Sequence, residues 1–186
     1  EKLTLFIILI SIQFIVSQSK ETNKLYITSE LNLGNYIGVD LNLNFVTKKK
    51  YTLKIGYTGN LRSPKSIPKD YSSINDILPL SGPYDHFKSY QISFGKIYEL
   101  NKKGTIRANL SFGLGLTTIR DHKNWLLNDV TPTSRGYYTW DTEKHNKVSL
   151  IINPKIEFPF KRFYGLTISP MIQINKEGTY FGIGVG

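Results

Sequence analysis

From Leu25 onward the chain alternates apolar and polar residues with a period of two, the mark of strands with one dry and one wet face. Leu25, Ile27, Leu31 and Leu33 stand against Tyr26, Thr28, Glu30 and Asn32, and Gly34-Asn35 follows as a tight turn. Ile37, Val39, Leu41, Leu43 and Phe45 then oppose Gly38, Asp40, Asn42 and Asn44, up to a polar turn at Lys48, Lys49 and Lys50. A third run sets Tyr51, Leu53, Ile55 and Tyr57 against Thr52, Lys54, Gly56 and Thr58. Leu61 to His86, with Pro64, Pro68, Pro79 and Pro83, reads as a long loop. The alternation resumes around Ser89–Leu100 and Ile106–Thr117, with a turn over Asn101–Gly104 between them. It pauses over a second long segment, Ile119–Glu143, and returns in Lys147–Glu157, Leu166–Ile174 and Tyr180–Val185. No segment after Lys20 has a convincing helical period. The pattern predicts an all-β, eight-stranded, antiparallel up-and-down barrel. Most of its strands are near the 9–11 residues a tilted strand needs to cross a bilayer.

Alternation fits a soluble barrel with a dry interior and a transmembrane barrel with a wet one. The polar face favours the second. It carries Gly38, Gly56, Gly95, Gly113, Gly115, Gly182 and Gly184 among Ser, Thr and Asn. Glycine weakens a solvated strand but makes room in a narrow eight-stranded lumen. The same face carries Glu30, Asp40, Glu99 and Glu157 against Lys54, Arg107, Lys147 and Lys155, a balance that lets buried charges pair. The connections run short, short, long, short, long, short, short. With a periplasmic N-terminus both long segments become extracellular and the turns between them short, the usual outer-membrane asymmetry. Aromatics near strand ends (Tyr26, Tyr36, Phe45, Tyr51, Tyr57, Tyr98, Phe158, Phe160 and Tyr164) suit interfacial girdles. Lys96 fits badly: it falls on the apolar face, so either its stem snorkels to the nearby headgroups or a bulge shifts the register.

Composition agrees. The chain has 186 residues, 40% hydrophobic and 13% aromatic, with no cysteine, so disulfides, thiolate zinc sites and acylated lipoprotein cysteines are excluded. The net charge of +10 first suggests nucleic acid or an anionic membrane. Its placement answers that: Lys48, Lys49, Lys50, Lys102, Lys103, Lys161 and Arg162 all fall in the short turns. They form a basic periplasmic rim that suits anionic lipid headgroups rather than nucleic acid. Lys2, the apolar run Leu3–Val16 and the small residues Ser17 and Ser19 describe a secretory signal peptide over residues 1–19, with the barrel in 20–186. A start at Glu1 and a stop at Gly186 inside an alternating segment suggest a slightly truncated reading frame.

Gly95-Lys96-Ile97-Tyr98, Gly104-Thr105-Ile106-Arg107 with the glycine-rich strand after it, and Val148 through Phe160 resemble small outer-membrane β-barrel proteins of the Bacteroidetes type. The resemblance covers nearly all of the mature chain. It implies a fold and a Gram-negative cell-envelope location, and brings no activity and no catalytic residues.

Candidate chemistry is thin. His86, His122 and His145 lie in or beside the long segments, near Ser81, Ser89, Ser134, Asp85, Asp121 and Asp141. A lipid-modifying enzyme would need a nucleophile, a base and an orienting group from such a set. Asp85-His86 and Asp121-His122 lack the spacing of a metal site. Gly113-x-Gly115 and Gly182-x-Gly184 lie in strands with no helix following, so they are not phosphate loops. Trp125, Tyr137, Tyr138 and Trp140 make the second long segment aromatic, suited to an extracellular protein or glycan or to packing against the rim. The leading expectation is a non-enzymatic structural or surface-recognition barrel with no catalytic residues, metal or cofactor. The alternatives are a lipid-modifying enzyme, a narrow channel or transport-associated barrel, and a soluble periplasmic lipocalin-like binder.

Overall fold

A computed structural model describes residues 23–69, 71, 83–128, 137–160 and 165–186. The expected signal peptide lies outside them, as do Lys161, Arg162 and Tyr164. Eight strands follow in chain order: β1 (Lys24–Gly34), β2 (Ile37–Val46), β3 (Tyr51–Arg62), β4 (Asp85–Glu99), β5 (Arg107–Asn128), β6 (Tyr137–Pro159), β7 (Gly165–Ile174) and β8 (Thr179–Val185). Each pairs antiparallel with its neighbour in sequence, and β8 pairs with β1 to close the ring. The fold is the eight-stranded antiparallel barrel that the alternation predicts. Closure removes the sheet edges within the ring; the β5–β6 hairpin extends beyond it, past Arg120 and Leu150.

The alternation sets the two faces. Ile27, Leu31, Leu41, Ile55, Ile92, Leu114, Leu116, Val148 and Ile183 project outward and are exposed, Ile27 by 74% and Leu116 by 68%. Glu30, Asn32, Asp40, Asn42, Lys54, Gln91, Ser149, Asn153 and Lys155 project inward and are buried. Lys96 sits on the outer face opposite Tyr51 and Leu110, and the β3–β4 and β4–β5 ladders run through it unbroken. The bulge offered as one explanation for Lys96 is therefore not there.

Three sequence expectations change. Leu61–His86 is shorter as a loop, because β3 runs to Arg62 and β4 starts at Asp85. Ile119–Glu143 is mainly strand: β5 has 22 residues and β6 has 23, and together they form a hairpin longer than its neighbours. Its register shifts between Lys123 and Leu126, where Asn124 takes a left-handed φ of 53°. A bulge with asparagine in that conformation twists the hairpin. Two expected girdle aromatics point inward instead: Tyr36 is buried, and Tyr26 donates to Glu157 at 2.8 Å.

The β6–β7 seam has one gap. Its ladder pairs Ile152 with Ile172 and Ile156 with Ile168, leaving Pro154 opposite Pro170 without N–H groups to exchange. The side-chain amide of Asn153 donates to the Pro170 carbonyl at 3.0 Å and replaces part of the loss.

Candidate functional site

The lumen has two storeys. Call the end with the Lys48–Lys50 turn the basic end, and the other the hairpin end. Toward the basic end the inward positions are polar. Glu30 on β1 pairs with Lys155 on β6 and also accepts from Ser169 and from Thr167. Glu157 accepts from Arg107 at 2.9 Å, from Tyr26 and from Asn109 at 3.3 Å. Asp40 accepts from Thr58 and Asn42 at 2.6 Å and from Gln91 at 2.7 Å. Lys54 donates to the Asn153 side chain. Gly184 makes this possible: a Cβ there would meet Ser169 Oγ, Glu30 Oε2 and Asn32 Oδ1 at 2.6–2.9 Å.

Two residues assigned to this network lie elsewhere. Glu99 is at the basic rim, bound to Lys50 at 3.0 Å, with both side chains nearly half exposed. Lys147 reaches Glu177 in the β7–β8 turn at 3.0 Å. Both have inward-facing strand positions, so their face is as expected and their height is not. The charges left inside are Glu30, Asp40 and Glu157 against Lys54, Lys155 and Arg107, which is still balanced. Lys48, Lys49, Lys102 and Lys103 are exposed in the turns of the basic end.

Toward the hairpin end the lumen is closed by Tyr36, Phe87, Ile119, Ile151, Met171 and Tyr180, all buried in one cluster. The rings of Tyr36, Phe87 and Tyr180 pack at centroid distances of 5.6 to 6.3 Å. The Arg62 guanidinium caps this plug, 4.3 Å from the Tyr36 centroid. Arg62 also bridges Asp85 at 3.1 Å and Asp121 at 3.4 Å, and Asp85 accepts the His122 backbone N–H at 2.9 Å. Sequence reasoning placed these residues in loops and missed the cluster. Each is a polar residue at the end of a fading alternation, which gives no cue to strand continuation.

Beyond the plug stands the β5–β6 hairpin. Trp125 packs on Trp140 at 5.0 Å, on Tyr71 at 5.4 Å and on Tyr138 at 6.4 Å. Its indole N–H donates to Ser66 Oγ at 3.0 Å. The aromatics thus tie the segment after β3 to the hairpin, while Trp140, Leu126 and Leu127 stay exposed. Tyr137 enters β6, and its side chain is not among those described. On the hairpin flank the hydrogen bond from Lys123 holds the Glu143 carboxyl below its ordinary pKa and raises that of Lys123.

No protein-family model matches the sequence, and no curated protein matches it. Among solved structures, the crystal structure of Ail, the attachment invasion locus protein of Yersinia pestis, aligns over 87% of this chain and 90% of its own, at 13% identity and a TM-score of 0.44. The same protein in complex with the heparin analogue sucrose octasulfate aligns over 84% and 88%, at 11% identity and a TM-score of 0.44. At identities and TM-scores this low, neither likeness carries an argument about this chain.

The residues considered for catalysis do not converge. His122 Nδ1 lies 3.4 Å from Asp85 and His145 Nε2 lies 3.4 Å from Glu143. Ser89 is buried and accepts from Thr117 at 3.0 Å. Ser81 and Ser134 lie outside the described residues. Among the described residues no serine hydroxyl bonds a histidine ring, and no group of three or more His, Cys, Asp or Glu could hold a metal ion.

Proposed function

We propose that the chain is an integral β-barrel of a Gram-negative outer membrane, exported by a cleaved signal peptide, with a non-enzymatic surface role carried by its hairpin end. One observation carries the reading: the barrel is inverted, with charge and amide inside and a continuous band of Leu, Ile, Val and Phe outside. In water that band would be a large aggregation-prone surface; in a bilayer it is the solvated face. The buried polar lumen also weighs against a soluble barrel that binds an apolar ligand. The ring plug and its Arg62 cap weigh against an open channel. The short basic turns favour placing that end in the periplasm, against anionic headgroups. The stretches Gly95–Tyr98, Gly104–Arg107 and Val148–Phe160 support a place among Bacteroidetes-type barrels.

For recognition, the exposed Leu126, Leu127 and Trp140 lie on a hairpin braced from below by Trp125 and Tyr71. An apolar surface on a rigid support suits a protein or glycan partner. Outer-membrane fractionation with heat-modifiable migration in detergent gels tests the location; a fully soluble mature chain would contradict it. Binding to immobilised extracellular proteins and glycans tests the role. The triple variant Leu126→Ser, Leu127→Ser, Trp140→Ala should lose such binding while keeping heat-modifiable migration.

A further inference from the structure

Lys96 is a cation on the outer face near the basic end; the other basic strand residues of that face, Lys88, Arg120 and Lys144, lie toward the hairpin end. Its ammonium lies 5.4 Å from the Tyr51 centroid and 5.5 Å from that of Tyr98. Among the described residues no carboxylate reaches it; Glu99, three residues on, is bound by Lys50. The lysine is not at mid-wall. Its ladder partner Tyr51 is the first residue of β3, and the next N–H, that of Ile97, donates to the carbonyl of Lys50 in the turn itself. Beside Lys96 the outer face is not flat: a groove of about 390 Å³ runs across β3 to β6, walled by Tyr51, Tyr98, Leu110, Phe112, Ile152 and Pro154. The groove thus has a cation at one end and hydrocarbon-like walls along its length. Lys48, Lys49, Lys102 and Lys103, exposed on the adjoining turns, add positive charge at that end.

We propose that this groove binds one anionic glycerophospholipid, with the phosphodiester on Lys96 and an acyl chain along Leu110, Phe112 and Ile152. The inference rests on the bilayer reading above. An unpaired ammonium on a lipid-facing wall is unfavourable unless an anion meets it, and at headgroup depth the bilayer supplies one. Free phosphate would leave the apolar walls unused. The choline or ethanolamine cation of a zwitterionic lipid would meet the lysines of both turns, so the positive surroundings favour a phosphatidylglycerol-type headgroup.

The test uses delipidated barrel in detergent, offered dioleoyl-phosphatidylglycerol or dioleoyl-phosphatidylethanolamine and read by native mass spectrometry. Heat-modifiable migration checks the fold of each variant. The expected result is a single phosphatidylglycerol adduct, weakened about fivefold in Lys96→Gln, the worth of one lysine near a lipid surface. The double variant Lys102→Gln, Lys103→Gln should keep the single adduct but narrow the preference for phosphatidylglycerol over phosphatidylethanolamine. Equal retention of both lipids, or unchanged retention by a folded Lys96→Gln, overturns the site while leaving the membrane barrel standing. Failure of the wild-type chain to enter detergent micelles or vesicles as a folded barrel overturns both.

Discussion

The two storeys of the lumen hold the same wall by different means. Near the basic end, Glu30–Lys155 and Tyr26–Glu157 tie β1 to β6, and Glu157 also binds Arg107 on the neighbouring β5. Near the hairpin end, Tyr36, Phe87 and Tyr180 span the bore by ring packing, and only the cap is ionic. The charged storey is the more sensitive to losing one partner, because a buried ion left alone keeps its full desolvation penalty. The packed storey loses contacts in proportion to the atoms removed. A barrel wall that is dry on its outer side has no hydrophobic interior of the ordinary kind, so lumen contacts of both sorts take over the role of a core.

The largest expected effect is in the charged storey. Glu30→Leu leaves Lys155 buried without its carboxylate and should lower stability by about 3–5 kcal/mol in urea unfolding from detergent or vesicles. Adding Lys155→Met should restore most of that loss. A single variant as stable as wild type would erase the contrast between the storeys. Phe87→Ala should lose about 3 kcal/mol, and it alone should bring conductance steps in planar bilayers, since it removes a ring from the plug. Silence in the bilayer would mean that the plug is not what closes the bore. Gly184→Ala pushes a methyl into the Glu30 network and should cost about 1–2 kcal/mol. At the bottom of the scale, Lys123→Ala removes an exposed pair on the hairpin, and its unfolding midpoint should match wild type.

Much of this was legible in the chain itself, and the reason lies in the period of two. Alternation states which face a side chain takes, so Leu114 out and Asp40 in follow directly from it. It does not state height along the strand. Glu99 and Lys147 have the inward-facing positions of lumen residues yet lie at opposite ends, bound to Lys50 and Glu177. Nor does it flag apolar residues on the wet face: Phe87, Ile151 and Met171 look like lapses in the pattern until the closed ring brings them together. The hairpin was hidden for another reason. Past Ile119 the hairpin no longer separates a polar lumen from an apolar outer face, so Arg120, Asp121, His122 and Lys123 follow one another without alternation and read as loop. Groove and seam were hidden too, since Pro154 opposite Pro170 is a fact of register between strands, and register is not written in either strand alone.

On the proposed reading the outer face of the ring meets hydrocarbon. The absence of native cysteine makes it directly measurable. Spin labels on single cysteines at Leu110, Phe112, Leu114 and Leu116, in a barrel reconstituted into phospholipid vesicles, report collisions with oxygen and with a water-soluble nickel chelate. High oxygen and low nickel accessibility are expected at Phe112, Leu114 and Leu116, deepest at Leu114, with an intermediate nickel value at Leu110, which is level with Lys96 near the headgroups. Nickel accessibility equal to that of a label at exposed Lys123 would show that the apolar face meets water, and would contradict it.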